Sequence, residues 1–299
     1  MFDLRYSVVI PAHNAESTIL KCIDSVLNQT TRPSKIIVVC DTCSDGTASQ
    51  IESYDHPNIS ILHVNFLSSA ESRNFGVEHS ASEYIAFIDA DDLWMPTKIE
   101  KQIPLILDSK NNAIVATNSI YINNYGTKVG RNVRTTDDEH AKLMLKAGLG
   151  MPALLSTWFL SRSTFLDLGG FDRRLPMSED FDFAYRAVNS GVDFKMVREP
   201  LSLYLLHSDS KTAQHKIKQQ RVAAYVRNRS HSTIELNFTE FINQKISITE
   251  RRDAFVDIQI RKFLISAKPA GWQRNYFRLV IAFILNPKKM CKKYLHQRN

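Results

Sequence analysis

The hydrophobic pattern of the first ninety-two residues switches repeatedly between two periods, and that switching limits the fold more than any other feature of the chain. Residues 6–11, 35–40, 59–64 and 84–88 are short, β-branched apolar runs of strand length. Between them lie helical patterns: Ile19, Cys22, Ile23, Val26 and Leu27 recur on one face behind Asn14, a candidate cap, and residues 44–54 and 69–79 supply two more. Strands separated by short helices predict an α/β fold, a mostly parallel sheet with helices on both faces. Ligands of such sheets gather beyond the carboxyl ends of the strands. Those ends carry His13 and Asn14, then Asp41, then Asp89, Asp91 and Asp92.

Beyond this region the chain mixes strands (113–122, 155–160, 194–197 and 201–206) with a helix over 178–190. From about residue 215 the pattern is helical alone. The expected organisation is a catalytic domain over 1–210 and a basic helical region over 211–299. Charge divides at the same place: residues 1–210 hold 19 basic and 26 acidic side chains, residues 211–299 hold 19 and 5, a net −7 against +14. So basic a region should seek an anionic surface, and phospholipid and nucleic acid are the general candidates.

With 43 % hydrophobic residues the chain can bury a core without disulfides, and its four scattered cysteines fit a reducing compartment. The N-terminus lacks a basic segment followed by a long apolar one, so no signal peptide is expected. The longest apolar run, 279–285, falls far short of the ~20 residues that span a bilayer.

Three carboxylates within four residues, in Ile88-Asp-Ala-Asp-Asp92, repel one another unless a counter-ion is near. Oxygen-only ligands suit Mg²⁺ or Mn²⁺, which can also hold a diphosphate. The competing reading is an acidic turn capping a helix that has Pro96 in its first turn. Asp41 can accept from a ribose hydroxyl or a base N–H, or else cap the following helix. Glu179 and Asp180 open the helix over 178–190, where a carboxylate is also favourable for purely electrostatic reasons. Cys40 and Cys43 form a C-x-x-C without the partners that zinc requires.

Five segments in order, YSVVIPAHNAE, IIVVCDTCSDGT, SAESRNFGV, YIAFIDADDLWMP and GGFDRRLPMSEDFDFAYR, resemble the motifs of the family 2 glycosyltransferases, over residues 6 to about 210. The resemblance implies a GT-A fold and transfer of a sugar, with inversion, from a nucleotide diphosphate donor in the presence of Mg²⁺ or Mn²⁺. It implies a base and ribose wall at Pro11, Ala12, His13 and Glu16, a nucleotide-reading acid at Asp41, and a nucleotide or phosphate contact at Arg73. Asp89 is similar to the ribose- or sugar-side acid and Asp91 to the direct metal ligand. Trp94 resembles an aromatic wall of the sugar site, with Glu179 beside it. Asp180 matches the general base, and His207 a loop histidine near the diphosphate or metal. The chain departs from the family pattern at Cys40-Asp41-Thr42-Cys43, where Asp-Asp-Gly-Ser is usual.

Residues 214–231 read as a polar helix packing back on the catalytic domain. Residues 272–293 mix Trp272, Tyr276, Phe277 and a run of aliphatics with Arg274, Arg278, Lys288, Lys289, Lys292 and Lys293. Such a mixture suits an interfacial helix on anionic membrane, or a basic helix capping the protein's own core. The expected enzyme works peripherally on the cytoplasmic face of a membrane, extending a lipid-linked or cell-surface glycan. Two other classes compete. A sugar nucleotidyltransferase would favour a Gly-rich, basic triphosphate loop, which PAHNAEST does not supply. A nucleic-acid-binding protein would use the basic tail, yet the acidic motifs explain nothing under that view.

Overall fold

The computed structural model describes residues 4–132, 134–135, 137–207, 216–231 and 238–243, together with separate positions between 247 and 285. Two compact units emerge, Met1–Ser119 with Arg134–Tyr204, and Ile120–Val133 with Leu205–Asn299.

The first unit is built on β1 (Tyr6–Ala12), α1 (Ile19–Leu27), β2 (Lys35–Asp41), α2 (Thr47–Ser53), β3 (Ile59–Val64), α3 (Ser69–Glu78) and β4 (Tyr84–Phe87). These four strands lie parallel in the order β3-β2-β1-β4, with Ala12 opposite Cys40 and Val9 opposite Phe87. Alternation along the strands decides which face each helix covers. Val8, Ile10, Ile36 and Val38 join Ile19, Cys22, Ile23 and Val26 of α1 in one core. On the opposite face Val9 and Val39 meet α3 at Gly76, where a Cβ would stand 2.5 Å from Val9 Cγ1. Chain order reverses between β1 and β4, and that reversal opens the crevice predicted beyond their ends.

Past β4 the sheet is no longer parallel. β5 (Leu93–Trp94), α4 (Lys98–Asp108), β6 (Ala113–Asn123), β7 (Lys128–Asn132), α5 (Asp138–Lys146), β8 (Phe159–Ser161), α6 (Arg162–Asp167), α7 (Glu179–Asn189) and β9 (Asp193–Leu206) follow. β8 runs antiparallel to both β4 and β6, and β5 antiparallel to β9. The two strands expected over 194–206 are one, and the strand expected over 155–160 is a 3₁₀ turn (Leu155–Thr157) followed by β8.

Local expectations shift where side chains capture the backbone. Asn14 does not cap α1, which begins at Ile19 behind Thr18; its backbone is left-handed (φ 51°), and its Oδ1 accepts the N–H of Ser44 at 2.8 Å. Pro96 likewise precedes α4 instead of sitting in its first turn, because β5 intervenes after the acidic run.

Within the second unit, Gly126 N–H closes the turn toward β7 on Asn123 O. α8 (Lys216–His231) and α9 (Phe238–Asn243) pack through Tyr225 against Phe238 and Phe241, at 4.9 and 5.8 Å between ring centroids. Arg221 joins them to a capping box: its Nη1 donates to Ile242 O at 2.7 Å and its Nε lies 3.2 Å from Glu250, while Ser247 and Glu250 exchange reciprocal N–H bonds. Residues 272–293 lie outside the described residues, Leu285 excepted. Among the described residues no helix is long and apolar enough to cross a membrane.

Candidate active site

The loops leaving β1 and β2 are laced together. His13 Nδ1 lies 2.6 Å from Asp41 O, and Ala15 N–H donates to Thr47 Oγ1 at 2.8 Å. Glu16 is exposed, but its carboxylate accepts the N–H of Gly46 at 3.1 Å, and a Cβ on Gly46 would strike Glu16 Oε1 at 2.6 Å. Pro11 and Ala12 close β1 opposite Val39 and Cys40. Four residues expected to wall the base therefore do stand at one strand-end edge, with His13 and Glu16 each holding the neighbouring loop.

Asp41, the expected nucleotide-reading acid, ends β2 and is bonded to the chain that enters α3. Its Oδ1 accepts the N–H groups of Phe66 and Leu67 at 2.8 Å each, and its Oδ2 accepts the N–H of Ser68 and the hydroxyl of Ser72 at 2.9 Å each. Burial alone would raise this carboxyl, but the bonds from Leu67, Ser68, Phe66 and Ser72 outweigh it and hold the group below the usual carboxylate value. In this arrangement Asp41 anchors the entry to α3.

At the end of β4, one oxygen from each of Asp89, Asp91 and Asp92 comes within 4.8 Å of the others. Asp92 is buried, and the other two are half-buried. Ser156 Oγ fixes the start of the run by accepting Asp89 N–H at 3.1 Å. Three converging carboxylates with oxygen ligands fit a hard divalent cation such as Mg²⁺ or Mn²⁺. His207 follows β9 and belongs to the second unit.

Arg73, the expected nucleotide or phosphate contact, is engaged on two carboxylates. It is 6 % exposed, its Nη2 donates to Asp89 at 2.6 Å and its Nη1 to Glu179 at 2.6 Å. Glu179 is correspondingly engaged on Arg73. Trp94 also departs from its expected role as an aromatic wall. It is 4 % exposed within the core, its Nε1 donates to Ser156 O at 2.7 Å, and Lys98 Nζ sits 3.9 Å from its ring centroid. Lys98 is itself fully buried on Gln102, and burial pushes its ammonium well down.

Asp180 lies in the first turn of α7 behind Ser178, a non-glycine residue in the left-handed region at φ 61°. Burial, and next the charge of Glu179, push its carboxyl up to about 6. Asp182, two residues on, is buried against Arg186, whose guanidinium also donates to Leu168 O and Gly170 O. Sequence reading missed Asn74, which makes a two-bond clamp on Phe171. It stands beside Arg73 in SRNFG, but nothing local marks its partner ninety-seven residues away.

Comparison with known proteins identifies the family and the fold. The family described as Glycosyl transferase family 2 matches residues 7–168. The chain is 31 % identical over 64 % of its length to an Escherichia coli protein, UDP-Glc:alpha-D-GlcNAc-diphosphoundecaprenol beta-1,3-glucosyltransferase WfgD, covering 76 % of it. Among solved structures it is similar to S. aureus TarS 1-349 in complex with UDP-GlcNAc, with TM-score 0.59, 17 % identity and coverage of 94 % of this chain and 91 % of that one. It is also similar to the mannosyltransferase PcManGT from Pyrobaculum calidifontis in complex with GDP-Man and Mn²⁺, with TM-score 0.59, 15 % identity and coverage of 98 % and 79 %. These matches decide among the three classes open to the sequence. The chain belongs to glycosyl transferase family 2, and it is a glycosyltransferase with the GT-A fold.

Proposed function

We propose that this enzyme transfers a hexose or N-acetylhexosamine, with inversion, from a UDP-sugar to a hydroxyl of a lipid-linked glycan during surface polysaccharide assembly. The observation that carries the chemistry is Asp180: a carboxyl pushed up to about 6, at a helix start that Arg73 links to the acidic end of β4. A base of that strength is ionised at neutral pH yet binds a proton readily. Asp180 takes the acceptor hydroxyl's proton as that oxygen bonds to the anomeric carbon. The bond from that carbon to the diphosphate oxygen breaks on the opposite face, and UDP leaves with the electron pair.

Asp91, with Asp89 and Asp92, would hold a divalent cation, which when bound offsets charge on the diphosphate. The GDP-Man and Mn²⁺ complex of the archaeal neighbour supports this ligand class. For the donor, UDP is favoured by the name of the E. coli relative and by the UDP-GlcNAc complex of TarS. That relative's acceptor, a diphosphoundecaprenol-linked sugar, favours a lipid-linked one here. Residues 272–293 then serve to hold the enzyme on anionic membrane at the cytoplasmic face.

Thermal-shift screening tests the donor assignment, because a ligand that binds only the native state raises its apparent stability. UDP-glucose, UDP-N-acetylglucosamine and GDP-mannose are compared with and without Mn²⁺. A UDP-sugar should give the largest Mn²⁺-dependent shift, and a shift confined to GDP-mannose would overturn the choice of UDP.

A further inference from the structure

We propose that Arg73 is a positioning residue for Asp180, acting through Glu179, and that with Asn74 it forms a two-point clamp on the loop that delivers the base. This rests on the reading of Asp180 as the base. Two consecutive side chains of α3 grip the chain on either side of that loop. At its near end Asn74 accepts Phe171 N–H at 2.9 Å and donates to Phe171 O at 2.8 Å, imitating a rung of sheet pairing. At its far end Arg73 holds Glu179, the residue before Asp180, at 2.6 Å.

The loop needs such a clamp. It starts at Gly170, whose φ is +65° and where a Cβ would stand 2.7 Å from Asn74 Oδ1, and it ends at Ser178 at φ 61°. Non-glycine residues hold that conformation only where the surroundings impose it. Ser178 makes no side-chain cap bond to α7. The first turn of α7 carries Glu179, Asp180 and Asp182, and arginines take the outer two: Arg73 pairs with Glu179 and Arg186 with Asp182. Asp180, between them, accepts the N–H of Phe181 at 2.7 Å.

Arginine's planar fork fixes the angle between its two donors, so the carboxylates of Asp89 and Glu179 are placed relative to each other by one buried group. Asp89 belongs to the acidic end of β4 and Glu179 to the base helix. The guanidinium thereby sets the distance over which donor and acceptor must meet, and misplacement by about 1 Å costs roughly 10²-fold in rate.

The test uses the full chain with Glu179→Gln, Arg73→Lys, Asp180→Asn and the double variant Glu179→Gln/Asp180→Asn. UDP release from UDP-glucose and UDP-N-acetylglucosamine gives kcat and KM, and calorimetry with Mn²⁺ gives UDP affinity. Glu179→Gln and Arg73→Lys should each lower kcat by about 10- to 100-fold while UDP affinity stays within about threefold. In the Asp180→Asn background Glu179→Gln should cost nothing further. The same fold-loss in both backgrounds, or a loss of UDP affinity matching the loss of kcat, overturns the proposal, the latter making Arg73 a phosphate contact. Glu179→Gln keeps size and an acceptor for Arg73, so it carries the test should Arg73→Lys not fold. Full turnover in Asp180→Asn is a separate result that overturns the base reading, and this proposal with it.

Discussion

At the scale of single residues, two carboxyls are shifted in opposite directions by their environments. Asp180 is pushed up to about 6 by burial and by Glu179, so kcat should be flat above that pH and fall below it as the base becomes protonated. Asp180→Asn should lower turnover by roughly 10² or more with donor affinity little changed. A pH–rate profile of the wild type, set beside isothermal titration of both proteins, checks both statements. Asp41 is held below its usual value by four internal donors, so its stabilisation is present above about pH 4, its unfolded value, and fades as pH drops through the folded one. Asp41→Asn leaves an acceptor but turns an NH₂ toward hydrogen-bond donors. It should cost about 1–3 kcal/mol in urea unfolding, and an unchanged midpoint would return Asp41 to the role of nucleotide reader. Motif position marks both acids in the sequence, but their hydrogen-bond and ion-pair partners come only from tertiary structure. Asp41 meets Phe66 to Ser68 across the sheet end, and Arg73 reaches Glu179 across 106 residues of sequence.

At the scale of elements, the base helix is held by aromatic packing continuous with the acidic strand. Phe87 of β4 touches Phe165 and Phe171 at 5.5 Å between centroids, and Phe183 of α7 touches those two at 5.0 and 5.4 Å. β4 ends beside Asp89 and α7 begins beside Asp180, so one cluster supports both. Phe183→Ala should therefore cost about 3–5 kcal/mol, with loss of turnover even below the melting temperature. Gly76→Ala drives a methyl into Val9 and should cost about 1–3 kcal/mol. Chemical denaturation of each variant gives the number, and a cost below about 0.5 kcal/mol at Gly76 would mean that α3 can lift from the sheet. The four parallel strands were legible because each is a short apolar run bounded by polar residues. The antiparallel half was not, since nothing in residues 113–123 or 193–206 states which neighbour they pair with or in which direction. Trp94 misled for a related reason: an aromatic beside acids reads as a wall, while β5 pairing turns it into the core.

At the scale of the whole molecule, the proposed lipid-linked acceptor gives the charge asymmetry a use: residues 1–210 carry a net −7 and residues 211–299 a net +14. Each Lys or Arg near an anionic surface contributes ~1 kcal/mol, screened within about 8 Å at physiological salt. The 299-residue chain should sediment with anionic vesicles at low salt and release as salt rises, while a chain lacking residues 272–299 should stay in solution yet still bind UDP. Co-sedimentation of the shortened chain would place the membrane contact elsewhere. The central claim, that a base at Asp180 drives displacement from the face opposite the diphosphate, is read most directly in the product's anomeric configuration. With an α-linked UDP-sugar and a glycan-diphospholipid acceptor, nuclear magnetic resonance of the product should show a β-linkage. An α-linked product would contradict the account.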